Sequence, residues 1–546
     1  MKIFQSIKNR SFISKIIIMN SKIFTFYSLV LFLVLGLNSC SSDSDTNEEQ
    51  ETVITVGTSD FATTINENPV NGEAIGTVEG TTNQGSVAFS IVEQIPNGAF
   101  AINSSTGELT VTDIAIFNYE VNTSVSGIVK VVNGSVFENA TINISIVDVE
   151  ESATCEGPIF LTTQEEVNAF GALGCTTING DLIIASVDNP SNSIIDLSPI
   201  AGITTLNGWL MIHWNMTLTS IEALGSITTL TGGIEVLSNP MLESLHGFEG
   251  LTTVDSSTFR IEKNNSLTNL EGLNNLEVVN GQFFIFDNNS LTSLNGLESI
   301  QQINFLNIVS NENLVEIEAL HLITNFSAGL RIDNNPSLIS IEGLRNVTQL
   351  AALEIDNNST LLNLYGLHNL NAIGNFLTIS LNESLNDISQ LNSLTAIGGT
   401  LEIRSNLSLQ NLEGLNNLQS IGNSFNIISN NSLLNFEGIN NLQSIGGNIS
   451  IRHNNSLLNI DALTNTQTLE GTYLHIANNE NLSNLNGLVN LNMNNLFTDL
   501  KILDNIQLSD LCGLTNLINS NIDLIQIEEN LYNPTEQDII DGNCSQ

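Results

Sequence analysis

The sequence predicts a mainly β protein in which an antiparallel β-sandwich precedes a long solenoid of short repeats. Two observations lead to this fold class. Residues 52–150 consist of short runs of alternating apolar and polar residues, separated by Gly, Asn and Pro, which is typical of antiparallel strands. From Gly208 onward, a strand-like Leu-x-Ile segment followed by Asn recurs at intervals of 23 to 26 residues. A regular period of this length is the signature of stacked repeats.

The first 40 residues have the anatomy of a secretory signal rather than of a folded segment. Basic residues and no acidic residue precede an apolar run from Phe24 to Leu37, which ends in Leu-Asn-Ser-Cys at 37–40. The run is too short to favour a permanent membrane span. The last four residues resemble the lipobox of bacterial lipoproteins, which implies that Cys40 is lipidated and begins the exported chain. An ordinary cleaved signal is the alternative.

The exported chain is strongly acidic. Residues 41–51 are polar and contain no apolar anchor, so we expect them to form a disordered tether. Behind Cys40, eight basic residues stand against 57 acidic ones, a net charge of −49. Such a surface repels nucleic acid and anionic lipid headgroups and attracts divalent cations. We therefore expect no nucleic-acid partner and no membrane contact except the lipid anchor, at the outer membrane or cell surface. The sequence leaves a periplasmic and an outward orientation of the anchor open.

Five landmarks in residues 52–150 occur in a fixed order. The predicted strands of this stretch are Val53–Val56, Val87–Val92, Leu109–Val111, Gly127–Val132 and Ala140–Val147. The landmarks are Ile-Asn-Glu-Asn-Pro at 65–69, Gly-Thr-Val at 76–78, Phe-Ala-Ile-Asn at 100–103 with Thr-Gly-Glu-Leu at 106–109, Phe-Asn-Tyr-Glu at 117–120, and Ile-Ser-Ile-Val-Asp at 144–148. In this order and spacing, the set resembles a cadherin repeat over its whole length.

The cadherin resemblance implies a calcium site at the far end of the domain. The residues at the matching or following positions are Glu67, Glu120, Asp148, Glu150 and Glu151. Carboxylates converging from separate strands suit Ca²⁺, which takes about six to eight oxygen ligands. Two features depart from the family: Asn118 stands where cadherin repeats usually have Asp, and the acidic motif in mid-domain is reduced to Glu79 with Asn83. An acidic, solvated domain edge is the alternative.

The repeats of residues 155–546 predict a parallel sheet with one strand per repeat. In Leu-x-Ile the apolar residues point to one side and x to the other, so stacked repeats share a continuous core. The Asn after each strand suits a tight corner, where its amide satisfies backbone groups and tolerates left-handed geometry, and we expect these side chains to stack as a ladder. The recurring Asn falls at 215, 239, 264, 288, 311, 335, 358, 382, 406, 430, 454, 479 and 505.

This repeat pattern resembles the receptor L domain, the leucine-rich right-handed β-helix of the insulin and epidermal growth factor receptors. The opening of the region supports the resemblance, with Cys155, a predicted helix at 164–173, Cys175 and Ile-Asn-Gly-Asp-Leu at 178–182. Ordinary leucine-rich repeats are the near alternative. The resemblance implies an architecture but does not identify a ligand.

The four cysteines after Cys40 fall into two local pairs at the ends of the repeats. Cys155 and Cys175 bracket the beginning, and Cys512 and Cys544 bracket the end. In an exported protein two disulfides are the natural interpretation, and each would close one end of the stack, where the core is otherwise exposed.

The chain contains none of the common catalytic motifs, such as HExxH or GxSxG, so we predict that it is not an enzyme. The outward strand positions instead collect five of the eight basic residues of the exported chain. We predict a binding face there, with three aromatic residues as stacking platforms for a sugar or a protein loop. Its members are Trp214, Arg260, Phe284, Phe286, Arg331, Arg404 and Arg452. Cross-strand ion pairs such as Glu235–Arg260 or Arg331–Glu354 are the competing interpretation.

Together these features predict a non-enzymatic adhesion or recognition lipoprotein whose partner is a surface protein or a glycan. Two other functions fit the same sequence: capture of glycans for polysaccharide uptake, and a structural role in the cell envelope.

Overall fold

The computed structural model describes residues 53–119, 121–149, 153–186, 193–255, 258–493, 497–519 and 522–546. The chain divides into two compact units, Met1–Val149 and Glu150–Gln546. The predicted signal, its Cys40 and the predicted tether lie outside the described residues. The described secondary structure is mainly β, as predicted. None of the helices in the described ranges has the length and hydrophobicity that a membrane crossing requires.

The first unit is built from short strands around a core that includes Phe100, Phe117 and Ile142. Its strands are Val56–Thr58, Phe61–Asn66, Ala74–Thr77, Gly80–Thr82, Ala88–Ile95, Phe100–Ile102, Glu108–Val111, Ser124–Asn133 and Val136–Val147, with a 3₁₀ helix at Ile114–Phe117. A four-stranded sheet has the order 61–66, 136–147, 124–133 and 88–95, and a three-stranded sheet has the order 74–77, 108–111 and 100–102. Strands 56–58 and 80–82 form a separate pair.

One pairing in this unit differs from the antiparallel arrangement that the sequence predicts. Phe61–Asn66 runs parallel to Val136–Val147, at the edge of the four-stranded sheet. Alternation of apolar and polar residues determines which side chains point inward, but it does not determine the direction in which an edge strand runs.

The second unit contains a parallel sheet of 24 strands in the described residues. Long strands supply one member per repeat: Ile159–Leu161, Leu182–Ala185, Leu210–His213, Ile234–Leu237, Thr258–Glu262, Val278–Phe286, Gln302–Val309, Asn325–Asp333, Leu353–Asp356, Leu377–Ser380, Leu401–Arg404, Phe425–Ile428, Ile449–Arg452, Tyr473–Ala477, Asp499–Leu503 and Leu524–Glu528. Each pairs in parallel with the long strand of the next repeat, for example Leu377 with Leu401 and Ile379 with Ile403. The predicted parallel sheet is therefore present.

Short strands and turns complete each repeat. The short strands of the large sheet are Thr253–Val254, Gln349–Leu350, Ala372–Ile373, Ala396–Ile397, Ser420–Ile421, Ser444–Ile445, Thr468–Leu469 and Asn492–Met493. Ala153–Glu156, Cys175–Asn179, Thr205–Leu206 and Thr229–Leu230 form a separate parallel sheet. The 3₁₀ helices are Ser198–Ile200, Glu222–Leu224, Glu318–Leu320, Glu342–Leu344, Ser389–Ser393, Asp461–Asn465, Asn486–Leu488 and Cys512–Leu514. One apolar cluster runs from Leu161 to Cys544 through all of these repeats.

A ladder of buried asparagines runs along the corner that follows each long strand. The thirteen predicted asparagines are all 0% exposed, and the structure adds Asn530, which is 8% exposed. The backbone N–H of Asn382 donates to Asn406 Oδ1 (3.2 Å), and Asn382 Nδ2 donates to the Ile355 carbonyl (2.9 Å). Asn382 Oδ1 accepts in turn from the backbone N–H of Asn358 (3.0 Å). Every rung thus bonds backbone and side-chain groups of its neighbours.

The left-handed residue at each corner is the one before the asparagine, not the asparagine itself as expected. These residues have φ between 52° and 61°: Trp214, Ser238, Lys263, Asp287, Ser310, Asn334, Asn357, Leu381, Ser405, Ser429, His453, Asn478, Asp504 and Glu529. Asn and Asp tolerate this conformation, whereas large side chains such as those of Trp214 and Leu381 rarely adopt it.

Glycine of the Leu-x-Gly-Leu segment allows neighbouring repeats to approach closely. Gly366 has φ 115°, and a Cβ at this position would lie 2.3 Å from the carbonyl oxygen of Ile341 in the preceding repeat. Any other residue at this position would force the two repeats apart.

Disulfides and short helices close both ends of the repeats. Both predicted disulfides are present, Cys155–Cys175 with a Cα–Cα distance of 5.9 Å and Cys512–Cys544 with 4.8 Å. The helix Gln164–Gly171 begins at Thr163, whose side chain accepts from the backbone N–H of Glu166, and it ends two residues before the predicted Leu173. Helices Thr515–Ile518 and Glu536–Ile540 lie at the other end.

Candidate functional site

The outward face of the long strands carries six of the seven predicted binding residues, all but Trp214, in two columns. The first column is Met211, Glu235, Arg260, Phe284, Asn307, Arg331, Glu354, Thr378, Glu402, Asn426, Ser450, His475 and Lys501. The second column is His213, Leu237, Glu262, Phe286, Val309, Asp333, Asp356, Ser380, Arg404, Ile428 and Arg452. Because the strands pair in register, each residue lies about 4.8 Å from its column neighbours. We call this surface the sheet face.

The ion pairs at the N-terminal end of the sheet face differ from those expected. Glu235 pairs with His213 (3.1 Å), and Arg260 pairs with Glu262 on its own strand instead of with Glu235. Glu262 is 6% exposed and also accepts from Lys263 Nζ (2.9 Å). This buried carboxylate is therefore compensated by two cations, one of which is the predicted face residue Arg260.

Phe284 and Phe286 are half-buried rather than exposed. Their rings meet edge to face with centroids 5.4 Å apart, and the Arg260 guanidinium lies 5.8 Å from each centroid. These distances are within the range of a cation–π contact. The three side chains thus form one packed cluster on neighbouring strands.

Trp214 lies at the corner that follows the strand Leu210–His213 and is 51% exposed. Its φ is 54°, its backbone N–H donates to the Leu237 carbonyl (2.9 Å), and its ring contacts His213 edge to face. A groove of about 430 Å³ in the adjoining repeats is lined by Met216, Ser238, Pro240, Lys263, Asn265, Asp287 and Asn289. The sequence reasoning missed this corner groove, although aligning the residues on either side of the repeated Asn would have shown it.

A second groove, of about 650 Å³, lies where short strands join the long ones between residues 325 and 398. Small residues such as Ala351, Gly374 and Gly398 open it, and no titratable side chain lines it.

Arg331 lies among three carboxylates in the middle of the sheet face. It pairs with Asp333 (2.7 Å) and with Glu354 on the next strand (3.3 Å), as the ion-pair interpretation predicts. Burial raises the pKa of both Asp333 and Glu354, against the opposing charge of Arg331, and Asp356 adds to both increases. Asp356 itself accepts from the Ser380 hydroxyl (2.5 Å).

At the C-terminal end, His475 and Lys501 share one carboxylate. Asp499 Oδ2 lies 3.0 Å from His475 Nε2 and 2.8 Å from Lys501 Nζ. Burial opposes ionisation of Asp499, but hydrogen bonds from Lys501 and His475 outweigh it and lower its pKa. Arg404 and Arg452, in the second column, form no ion pair with any carboxylate in the described part of the chain.

The predicted calcium ligands are described only in part. Glu120, Glu150 and Glu151 lie outside the described residues. Glu67 is 4% exposed, and its carboxylate accepts from the backbone N–H groups of Tyr119 (2.9 Å) and Val149 (2.8 Å). Asp148 is exposed. Glu67 therefore joins the segments that carry the other predicted ligands, while the described residues contain no group of three or more His, Cys, Asp or Glu that could hold a metal.

Comparison with known proteins gives one family and several partial structural matches. Residues 174–295 match the model of the Receptor L domain family. No curated protein matches the chain. Solved structures that match include Protocadherin Gamma B2 extracellular cadherin domains 3–6, at 20% identity over 18% of this chain and 23% of that chain with a TM-score of 0.17. Another is the Protocadherin GammaB4 extracellular domain, at 16% identity over 18% of this chain and 20% of that chain with a TM-score of 0.16. The chain spans less than a quarter of the length of these two structures.

His213 makes stability depend on pH. Burial lowers its pKa from the usual 6.5, Glu235 opposes this shift, and Arg260 adds to it. As the pH falls below about 6.5, the unfolded chain therefore takes up this proton before the folded one, and stability is lost. We expect the melting temperature of His213→Gln to fall less steeply than that of the wild type between about pH 7 and pH 5.

The matched control is His368→Gln, at an exposed position. In His368→Gln the melting temperature should depend on pH as it does in the wild type. Asp333 and Glu354, whose pKa values are raised, are present in all three proteins, so their titration does not account for a difference between them. An unchanged slope in His213→Gln would show that the ring protonates equally in both states.

Proposed function

We propose that this protein is a non-enzymatic recognition protein of the cell surface, anchored through lipid on Cys40, that binds a glycan or protein ligand with the sheet face and the adjoining corner. The residues that the repeats present outward support the proposal. In an exported chain of net charge −49, cations and aromatic rings collect in register on one surface. Two local disulfides suit an exported protein.

The finer architecture is part of the same proposal. The first unit would be a cadherin-like β-sandwich, and the second a right-handed β-helix of the receptor L-domain type. The family match covers only residues 174–295, but the same Asn ladder continues to Asn530. This continuity supports one architecture for the whole repeat region.

Trp214 is the single observation that carries the binding function. It occupies a left-handed position at which a bulky residue costs about 1–3 kcal/mol. Most other corners carry small polar or charged residues, so the fold itself does not require tryptophan. A large, exposed ring held in a costly conformation beside a groove is explained by a ligand that stacks on it.

Capture of glycans for polysaccharide uptake is the second candidate function. The corner groove favours it, because Ser238, Asn265 and Asn289 line it with hydroxyl and amide groups, and its lining begins at Met216, two residues after the exposed Trp214. A purely structural role in the envelope has no comparable support in the described residues.

Replacing Trp214 by Asn separates binding from stability. Asn tolerates the left-handed conformation, so we expect Trp214→Asn to be as stable as the wild type or up to about 1 kcal/mol more stable. Loss of a stacked ring should weaken capture of the ligand at least about tenfold. The whole chain, solubilised in mild detergent, is tested against glycan arrays and cell-surface extracts, with a thermal melt of each variant.

Tyr365→Asn serves as the matched control, since Tyr365 is 53% exposed and lies outside the sheet face. It should bind as the wild type does. Equal binding by Trp214→Asn and the wild type to every ligand found would contradict the proposed site.

We also propose that Ca²⁺ binds the first unit through Glu67, Glu120, Asp148, Glu150 and Glu151. Support comes from Glu67, whose carboxylate accepts from two backbone N–H groups. One belongs to Tyr119, the residue before Glu120, and the other to Val149, the residue after Asp148. Saturating Ca²⁺ should raise the melting temperature of this unit by several degrees, because a ligand that binds only the folded state stabilises it.

Asp148→Asn should abolish the Ca²⁺-dependent rise, whereas Glu108→Gln, at another exposed position of the first unit, should retain it. Mg²⁺ at the same concentration controls for general screening of the acidic surface. A melt that Ca²⁺ does not change would remove the calcium proposal and leave the sheet-face proposal standing.

A further inference from the structure

Arg404 and Arg452 differ from the other arginines of the sheet face because no carboxylate in the described ranges pairs with them. Arg260 pairs with Glu262, and Arg331 pairs with Asp333 and Glu354. Arg404 and Arg452 stand in one column with Ile428 between them, in register. Two strand spacings place their backbones about 10 Å apart.

Few carboxylates surround these arginines, although the chain is strongly acidic. Between residues 401 and 477, the outward and corner positions carry one acidic residue, Glu402, and two histidines, His453 and His475. The flanking acids are occupied, since Asp356 accepts from Ser380 and Asp499 pairs with His475 and Lys501. Neither arginine pairs with a carboxylate in the described residues, and Glu402, two positions before Arg404, is the one acid left on this part of the face.

Of the five buried polar side-chain atoms without a hydrogen-bond partner in the described residues, two lie together on this part of the sheet face. They are Ser450 Oγ and Arg452 Nε, which lie on the same strand. Ser450 is 2% exposed, so its hydroxyl is nearly withdrawn from solvent. Buried polar groups are almost always satisfied, so Ser450 Oγ and Arg452 Nε, which have no carboxylate near them, are groups that a ligand could bond.

A ring pair borders these groups on the next strand. His475 stands opposite Ser450, and the rings of Tyr473 and His475 stack with centroids 4.4 Å apart and an interplanar angle of 28°. Asn448 Oδ1 accepts from the Tyr473 backbone N–H (3.0 Å), which fixes the strand at this point. Flat rings beside hydroxyl and guanidinium groups are suited to sugars that carry an acidic group.

We propose that Arg404, Arg452, Ser450 and the Tyr473–His475 ring pair form a subsite for a glycan that carries uronic-acid carboxylates. This rests on the proposed recognition function and names a ligand class for one part of the sheet face. Each arginine donates to one carboxylate, the Ser450 hydroxyl donates to a sugar oxygen, and a sugar ring stacks against Tyr473. The net charge of −49 repels densely charged polyanions such as nucleic acid. An oligosaccharide of a few uronic acids carries fewer charges, spaced along the chain, so its carboxylates can reach the two arginines with less repulsion from the rest of the protein.

The test is calorimetric titration of the whole chain, in EDTA, with a galacturonic-acid tetrasaccharide and with its neutral methyl ester. We expect the acid to bind and the ester to bind at least about tenfold more weakly. Arg404→Gln and Arg452→Gln should each weaken binding of the acid about tenfold or more, with unchanged melts. Arg345→Gln is the matched control, because Arg345 pairs with Glu318 away from the sheet face, and it should bind as the wild type does.

Three results would overturn the inference: absence of binding by the tetrasaccharide, equal binding of acid and ester, or full binding by both arginine variants. A tetraglutamate peptide that binds as tightly as the sugar, and loses binding in the same variants, would overturn the glycan assignment in favour of an acidic peptide. If the tetrasaccharide does not bind while ligands that depend on Trp214 still do, the subsite inference is wrong and the proposed recognition function stands. The proposed function fails only if Trp214→Asn also changes nothing.

Discussion

The buried asparagine ladder is the interaction on which the second unit depends. At each corner the chain turns away from the sheet, and its backbone groups lose the strand partners that a longer strand would supply. Asn382 replaces those partners by bonding Asn406, Ile355 and Asn358 in the adjoining repeats. Unsatisfied backbone groups at these buried positions would each cost about 1–3 kcal/mol, so the ladder removes a penalty that every repeat would otherwise carry. Its ends are closed by Ser186, which donates to Asn215, and by Asn533, which accepts from Asn530.

The ladder and the parallel pairing together determine what the sheet face can do. Because one repeat adds one strand in fixed register, a residue on the outward side always has the same two column neighbours. Most charges on this face are compensated in that way, as Arg331 is by Asp333 and Glu354. Such pairs are weak contributors to stability at half-exposed positions and mainly prevent repulsion. Trp214, Arg404 and Arg452 are the exceptions. Trp214 has an unfavourable backbone conformation, and the two arginines have no ion-pair partner in the described residues, so these side chains contribute little to the stability of the fold.

The repeat architecture could be predicted in detail because its causes are periodic. The interval between asparagines, the inward Leu and Ile, and the local cysteine pairs all follow from the sequence, and the structure has each of them. Asn530 escaped prediction because Asn533 and Glu536 stand where the two leucines of the Leu-x-x-Leu segment follow the other asparagines. The partner of Arg260 could not be predicted. Glu262 lies two residues along the same strand and Glu235 lies opposite on the preceding strand, at a similar distance, so side-chain packing decides between them. The direction of the edge strand Phe61–Asn66 is likewise invisible to apolar alternation.

The most direct test of this account is guanidinium denaturation of Asn358→Ala in the whole chain, followed by circular dichroism. The substitution removes the acceptor of the Asn335 backbone N–H (3.1 Å) and the donor to the Ile332 carbonyl (3.0 Å). It should lower the free energy of unfolding by about 2–5 kcal/mol. Asn386→Ala, at an exposed position outside the ladder, should change it by less than about 0.5 kcal/mol. Equal effects of the two substitutions would contradict the claim that the ladder holds the repeats together.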